Sequence, residues 1–228
     1  MSSTIQIRLS HRSYLRDPEE TELGRKIVTE SIRLIERIGI EQFTFKKLAV
    51  KIESTEASVY RYFENKHKLL VYLMSWYWAW LDYQINYQTK NIADPTEKLH
   101  IVLRILAELH LDDPSSPHID ESLLHRIVIA EAPKAYLTKD VDELNQEGLF
   151  MEYKAVCRKV ADIVLQIKPS YPYPHALVST LIEAAHQQAY FGQHLPSLTE
   201  SKIKEQKSEG VTEFLGHLAF SALKGCGQ

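Results

Sequence analysis

Cysteine is scarce in this chain. Its two residues, Cys157 and Cys226, stand far apart and share no metal-ligand spacing, which excludes a disulfide-stapled scaffold and a cysteine-built metal centre. Cys157 falls in an apolar helical pattern and reads as a buried thiol, the usual state in a reducing cytoplasm. Glycine is sparse too, at eight in 228 residues. No glycine-rich phosphate loop and no Ser or Cys nucleophile elbow is present. Long apolar runs are also lacking. The most apolar stretch, residues 69–81, spans 13 positions, against about 20 needed to cross a bilayer. The first residues, MSSTIQIRLSHRSYLRD, contain no apolar core of an export signal. No strand-like alternation, internal repeat or low-complexity segment competes with what remains.

What remains is helical periodicity and enough apolar content, 44%, to bury a substantial core. The expected fold is all-α. Asp17-Pro18-Glu19-Glu20 has the form of an N-cap, Pro at the first position and a carboxylate reaching back. From there the spacing predicts a helix to Ile38, stopped by Gly39. Further helices are predicted over about 66–90, from Asp94-Pro95 to about Leu111, and over 119–131, 140–167, 173–193 and 199–223. The Pro-, Ser- and Asp-rich run 112–117 marks a break. Net charge is −3, unevenly spread. Residues 1–70 carry 13 Lys+Arg against 10 Asp+Glu, and the remainder 14 against 20. A mildly basic head on an acidic body suits a local nucleic-acid surface.

Residues 44–68 are the most informative. Thr44 is a suitable N-cap, with Phe43 placed to staple onto Leu48. Leu48, Ala49 and Ile52 make one apolar face, leaving Lys46, Lys47 and Lys51 in water. Glu53-Ser54-Thr55 interrupts, and Ser54 or Thr55 can cap a second helix over about 56–63. Val59 and Phe63 face its core, while Ser58, Tyr60, Arg61 and Tyr62 face outward or sideways. Asn65 can cap the long helix that begins at Lys66. Two short helices about a tight turn, with basic, hydroxyl and phenol groups around the second, are the form of a DNA-reading helix-turn-helix.

The run Ala57, Ser58, Val59, Tyr60, Arg61, Tyr62, Phe63, then Lys66 and Leu69, resembles the recognition helix and following signature of TetR-type transcriptional regulators. Phe43-Thr44 and Leu48-Ala49 fall where that family has its usual Thr and Ile-Ala. The resemblance covers roughly residues 21–70. It departs in the turn, where the family usually has Gly and an apolar residue and this chain has Glu53 and Ser54. A turn position of positive φ is harder for Glu than for Gly, and Glu53 and Glu56 bring negative charge close to expected phosphates. The resemblance implies a DNA-binding domain over 1–66, and over 67–228 a helical domain that senses an effector and dimerises.

The residues' chemistry assigns the contacts. Thr44, Lys46, Tyr62 and Lys66 are the candidates for phosphate, with backbone N–H groups at the start of the 66–90 helix. Ser58, Tyr60 and Arg61 are candidate groove contacts, with Thr55, Glu56 and Ala57 at the leading edge. Arg61 can read guanine and Glu56 can accept from cytosine. Arg61 can equally pair with Glu64 or Glu56. Arg8, Arg12 and Arg16 form a basic arm or a basic tail. One such head makes few base contacts, so two heads about 34–36 Å apart are expected on a palindromic operator. The resemblance places the homodimer contact on helices 140–167 and 173–193, where Ala155, Val160, Leu181, Ala184, Ala185 and Ala189 permit close packing or build the monomer core. The body is expected to take a small hydrophobic or aromatic effector among Trp76, Trp80, Tyr83, Tyr87, His110, His125, His186 and Tyr190, or to use most of these as core. The 66–90 helix would couple effector to head spacing.

Two other readings exist. A head weakened by Glu53 and Glu56 could serve as an interaction module. Glu97-x-x-His100 and Glu183-x-x-His186 match the spacing of ferritin-like di-metal bundles, with Glu131 and Glu152 as recruits. Ten histidines among many glutamates produce such pairs by composition. The expectation is therefore a cytoplasmic, repressor-type regulator without catalytic residue, metal or cofactor.

Overall fold

A computed structural model describes residues 7, 9, 13–108, 118–201 and 209–225. Helices and turns account for the ordered elements, and no strand occurs among the described residues. The helices are α1 (Glu22–Gln42), α2 (Phe45–Lys51), α3 (Glu56–Tyr60), α4 (Lys66–Thr89), α5 (Pro95–Ala107), α6 (Glu121–Tyr136), α7 (Val141–Gln146), α8 (Met151–Ile167), α9 (Pro174–His194) and α10 (Glu209–Gly225). The fold is all-α, with a helix-turn-helix domain at the N-terminus followed by a helical domain. By its contacts the chain divides into two compact units, Met1–Ala79 with Leu111–Glu152, and Trp80–His110 with Tyr153–Gln228.

In the first unit the Asp17-Pro18 start closes only a 3-10 turn, Pro18–Glu20, in which Asp17 accepts from the Glu19 N–H. The expected helix start is corrected to Thr21, whose hydroxyl accepts from the Gly24 N–H and caps α1. Gly39 does not end α1 either. It breaks the backbone at φ 71, ψ 159, and helical structure resumes for a last turn to Gln42. Ile27, Val28, Ile32 and Ile35 of α1 are buried, as are Leu124, Ile127, Val128 and Ala132 of α6, and these two helices pack together. α6 continues past the expected end near 131, through Pro133, to a final turn that closes by Leu137 N–H to Pro133 O at 2.8 Å.

The expected 140–167 helix is two helices. Gly148, at φ 80, ends α7: its N–H bonds Asn145 O at 3.0 Å, and Leu149 N–H bonds Leu144 O at 3.1 Å. This pair of bonds is a Schellman motif, which needs a left-handed residue after the cap. Leu144, Leu149 and Phe150 then pack on Val71.

In the second unit α5, α9 and α10 pack on one another. Leu99, Val102 and Leu103 meet a core that includes Val178, Leu181, Ile182, Val211, Leu215 and Ala219. Lys159 of α8 donates to Asp82 and, at 2.7 Å, to Asn86. Val160, Leu181, Ala185 and Ala189 are buried, so these four belong to the unit's own core. Ala155 is exposed and Ala184 half-buried. Cys157 is likewise half-buried rather than enclosed, and partial burial lifts its thiol to about 11. No helix among the described residues is long and apolar enough to cross a membrane.

Candidate nucleic-acid interface

The head is built from the caps outward. Thr44, extended at φ −142, ψ 150, accepts from the Lys47 N–H at 3.2 Å and starts α2. Phe43, Leu48 and Ile52 are almost wholly buried. α2 ends in a second Schellman motif: Glu53 N–H bonds Val50 O at 3.3 Å and Ser54 N–H bonds Ala49 O at 2.9 Å. Glu53 holds the left-handed position, at φ 55. Thr55, not Ser54, is the cap of α3; its hydroxyl accepts from the Ser58 N–H and lies 2.9 Å from the Ser58 hydroxyl. Asn65 caps α4 through Lys68 N–H at 2.8 Å.

The second helix of the pair, α3, is shorter than expected, Glu56–Tyr60, because Arg61 caps it and the chain turns through Tyr62 and Phe63 N–H bonds to Val59 O. Val59 and Phe63 are fully buried. Thr44, Lys46, Thr55, Glu56, Ala57, Tyr60 and Arg61 are exposed, and Ser58 is half-buried. Tyr60 is held edge-on to Phe45 at 4.9 Å. The exposed residues thus lie at the start of α2 and along the outer side of α3.

Tyr62 differs from its outward expectation. It is buried, and its hydroxyl lies 2.7 Å from that of Thr21. Arg16 covers its ring at 5.6 Å, and its carbonyl accepts from Leu15 N–H at 2.7 Å. The reason is packing: the chain before α1 crosses the end of α3 and encloses the phenol. Arg8 and Arg12 lie outside the described residues. Beside this segment, Glu19 meets the Tyr72 hydroxyl at 3.3 Å and the His118 ring at 2.8 Å. Burial and the Glu19 charge push the Tyr72 phenol well above its ordinary range, so it stays a donor.

Lys66 is half-buried. Its ammonium donates to Ile40 O at 2.9 Å and Glu41 O at 3.2 Å, closing the last turn of α1. On the same turn, the Ile40 N–H donates to the buried carboxylate of Glu131 at 3.1 Å. Lys134 pairs with Glu131 at 2.8 Å and with Glu41 at 3.6 Å. A Cβ at Gly39 would lie 3.4 Å from the Glu131 oxygen, an ordinary contact, so the glycine answers to the positive φ alone. The sequence reading missed this clamp and had offered Glu131 only as a metal recruit.

The effector candidates divide between the units. Trp76 and His125 are buried in the first, with His125 Nδ1 2.8 Å from the Tyr77 hydroxyl. Trp80 and His186 are buried in the second, and burial drives His186 down to about 4. Tyr83 and Tyr87 stack at 6.1 Å with Tyr87 largely exposed, and Tyr190 lies on His194 at 4.5 Å. These three tyrosines stand at the surface. His110 lies outside the described residues.

Buried capping helices, a tight turn and an exposed polar second helix define the class: an all-helical protein with an N-terminal helix-turn-helix head. Residues 27–73 match the model of the bacterial regulatory proteins of the tetR family. The match is confined to that segment, which spans the helix-turn-helix. AibR, solved in complex with isovaleryl coenzyme A and operator DNA, is similar at 16% identity and a TM-score of 0.58, over 85% of this chain and 97% of that one. The fatty acid degradation regulator FadR from Bacillus halodurans is similar at 14% and 0.57, over 88% and 94%. The ketosteroid transcriptional regulator KstR2 of Mycobacterium tuberculosis follows at 13% and 0.55, over 90% and 95%. At these identities the likeness is one of fold. No curated protein matches the chain.

Proposed function

We propose that the chain is a cytoplasmic, ligand-responsive transcriptional repressor that binds a palindromic operator as a homodimer. The observation that carries this is the exposure of Thr44, Lys46, Thr55, Glu56, Ala57, Tyr60 and Arg61, with Ser58 half-buried, on a firmly packed head. Residues 1–66 are its DNA-binding part and 67–228 its effector and dimerisation part.

Thr44 and Lys46 bond phosphates, and Ser58, Tyr60 and Arg61 enter the major groove. Tyr62 joins them if Thr21 donates within their pair, since the phenolic hydrogen is then left for a phosphate. Lys66 has a third ammonium hydrogen beyond the two given to carbonyls. For the homodimer, α8 and α9 offer the exposed Ala155, Ala176, Thr180, Gln187 and Tyr190. A small hydrophobic or aromatic effector releases DNA to the extent that it favours the non-binding head spacing; AibR, of the same fold, is named with an acyl thioester and an operator.

Selection of bound sequences from a random duplex pool, repeated across salt concentrations, is the test. A palindromic consensus whose affinity falls steeply with salt is expected. Absence of enrichment at any salt overturns the reading in favour of an interaction module disabled for DNA by Glu53 and Glu56.

A further inference from the structure

A groove of about 680 Å³ runs between the second half of α1 and the outer face of α2. Leu34, Ile38 and Val50 give it an apolar lining, and Val50 is exposed to 75%. An exposed valine on a seven-residue helix is not required by the core, which Leu48 and Ala49 already serve. Arg37, Lys46, Lys47 and Lys51 form the rim, and no carboxylate is among its described lining residues. Lys51 is held only loosely, 4.0 Å from Glu30, and Lys47 reaches the Gln42 carbonyl at 2.7 Å. The volume falls in the range of small-molecule sites. An apolar floor within a cationic rim complements one chemistry, a single alkyl chain ending in an anion.

We propose that this groove binds a single-chain anionic amphiphile, of the fatty-acid or alkyl-phosphate kind. Its chain covers Val50 and Ile38, and its head group lies among the rim cations. Thr44 and Lys46 line the same groove, so the occupant competes with DNA for them; this second consequence rests on the DNA-binding reading above.

Calorimetry of the full chain with dodecanoate, dodecyl phosphate and neutral dodecanol, all below micelle formation, tests the site without DNA. Saturable binding of one anion per chain is expected, tighter than dodecanol. Tighter dodecanoate assigns a carboxylate ligand, and tighter dodecyl phosphate a phosphate ligand. Val50→Gln should weaken it about tenfold through lost apolar contact, and Lys47→Glu by a similar factor, with circular dichroism melts unchanged. Binding that persists in both variants lies elsewhere and overturns the site. So does equal binding of dodecanol, or preference for an acidic helical peptide over either anion. Lys47→Glu weakening DNA but not the amphiphile would assign the face to phosphates instead. Amphiphile bound at the groove by a chain that binds no DNA leaves the site standing and removes only the competition.

Discussion

Glu53 and Gly148 occupy the same backbone position. Each is the left-handed residue of a Schellman motif, at φ 55 and φ 80, and each ends a short helix, α2 and α7. Only one of them is the residue that this geometry favours.

Glu53→Gly is therefore expected to stabilise the protein. The left-handed conformation costs a residue with a Cβ about 1–2 kcal/mol, and the greater freedom of unfolded glycine returns about 0.4–1 of it. A gain of roughly 0.5–1 kcal/mol should raise the melting temperature by a few degrees. Glu53→Gln keeps the strain and removes the charge. It should leave the melt unchanged and strengthen DNA binding, most visibly at low salt. A Gln variant that melts like the Gly variant would show that charge, not φ, was the cost.

The clamp on α1 gives a second expectation. Glu131→Ala leaves the buried Ile40 N–H without its acceptor, a loss of about 1–3 kcal/mol. Glu131→Gln retains an acceptor oxygen and should lose less. Denaturant melts of both variants measure the difference, and equal losses would point to the Lys134 pair as the main contribution.

Tyr62 and Lys66 have both an internal partner and a proposed phosphate. Tyr62→Phe should cost about 1 kcal/mol of stability and weaken binding to every sequence without changing its salt slope, since a neutral hydroxyl releases no counterion. Lys66→Ala should release two α1 carbonyls and weaken binding to every sequence alike. Arg61→Ala should instead change which sequence is preferred. Loss of stability with unaltered DNA affinity in Tyr62→Phe would confine that residue to packing.

His186 predicts a pH dependence. Burial holds its folded value at about 4, below the unfolded value of about 6.5. Between these limits the unfolded chain binds more protons, so stability rises with pH. The contribution is complete above about pH 6.5 and is lost as pH falls toward 4, on the order of 3 kcal/mol in all. His67 is lowered by burial as well and acts in the same direction. Melts at pH 7.5 and 5 should show the decline, and His186→Gln should flatten most of it.

The sequence disclosed what is local. Thr44, Thr55 and Asn65 were legible because a cap bonds an N–H within three residues, and the strained turn was legible because Glu stood where positive φ was needed. Partners distant along the chain were not. Thr21 lies 41 positions from Tyr62, Ile40 lies 26 from Lys66, and Glu131 lies 91 from Ile40. Residue type alone made Tyr62 an outward phenol and Lys66 a free cation, since neither burial nor a tertiary acceptor has a local signature. The proposed phosphate and groove contacts rest on exposure and chemistry in the same way.

All three tryptophans of the chain, Trp76, Trp78 and Trp80, lie within five residues of α4, and all are buried. Tryptophan emission, excited beyond the tyrosine band, is therefore a single-helix signal in this protein. Its emission should be blue-shifted while α4 is packed and should move only when the surroundings of that helix change. An unlabelled chain thus carries its own optical gauge on the helix proposed to join effector and operator.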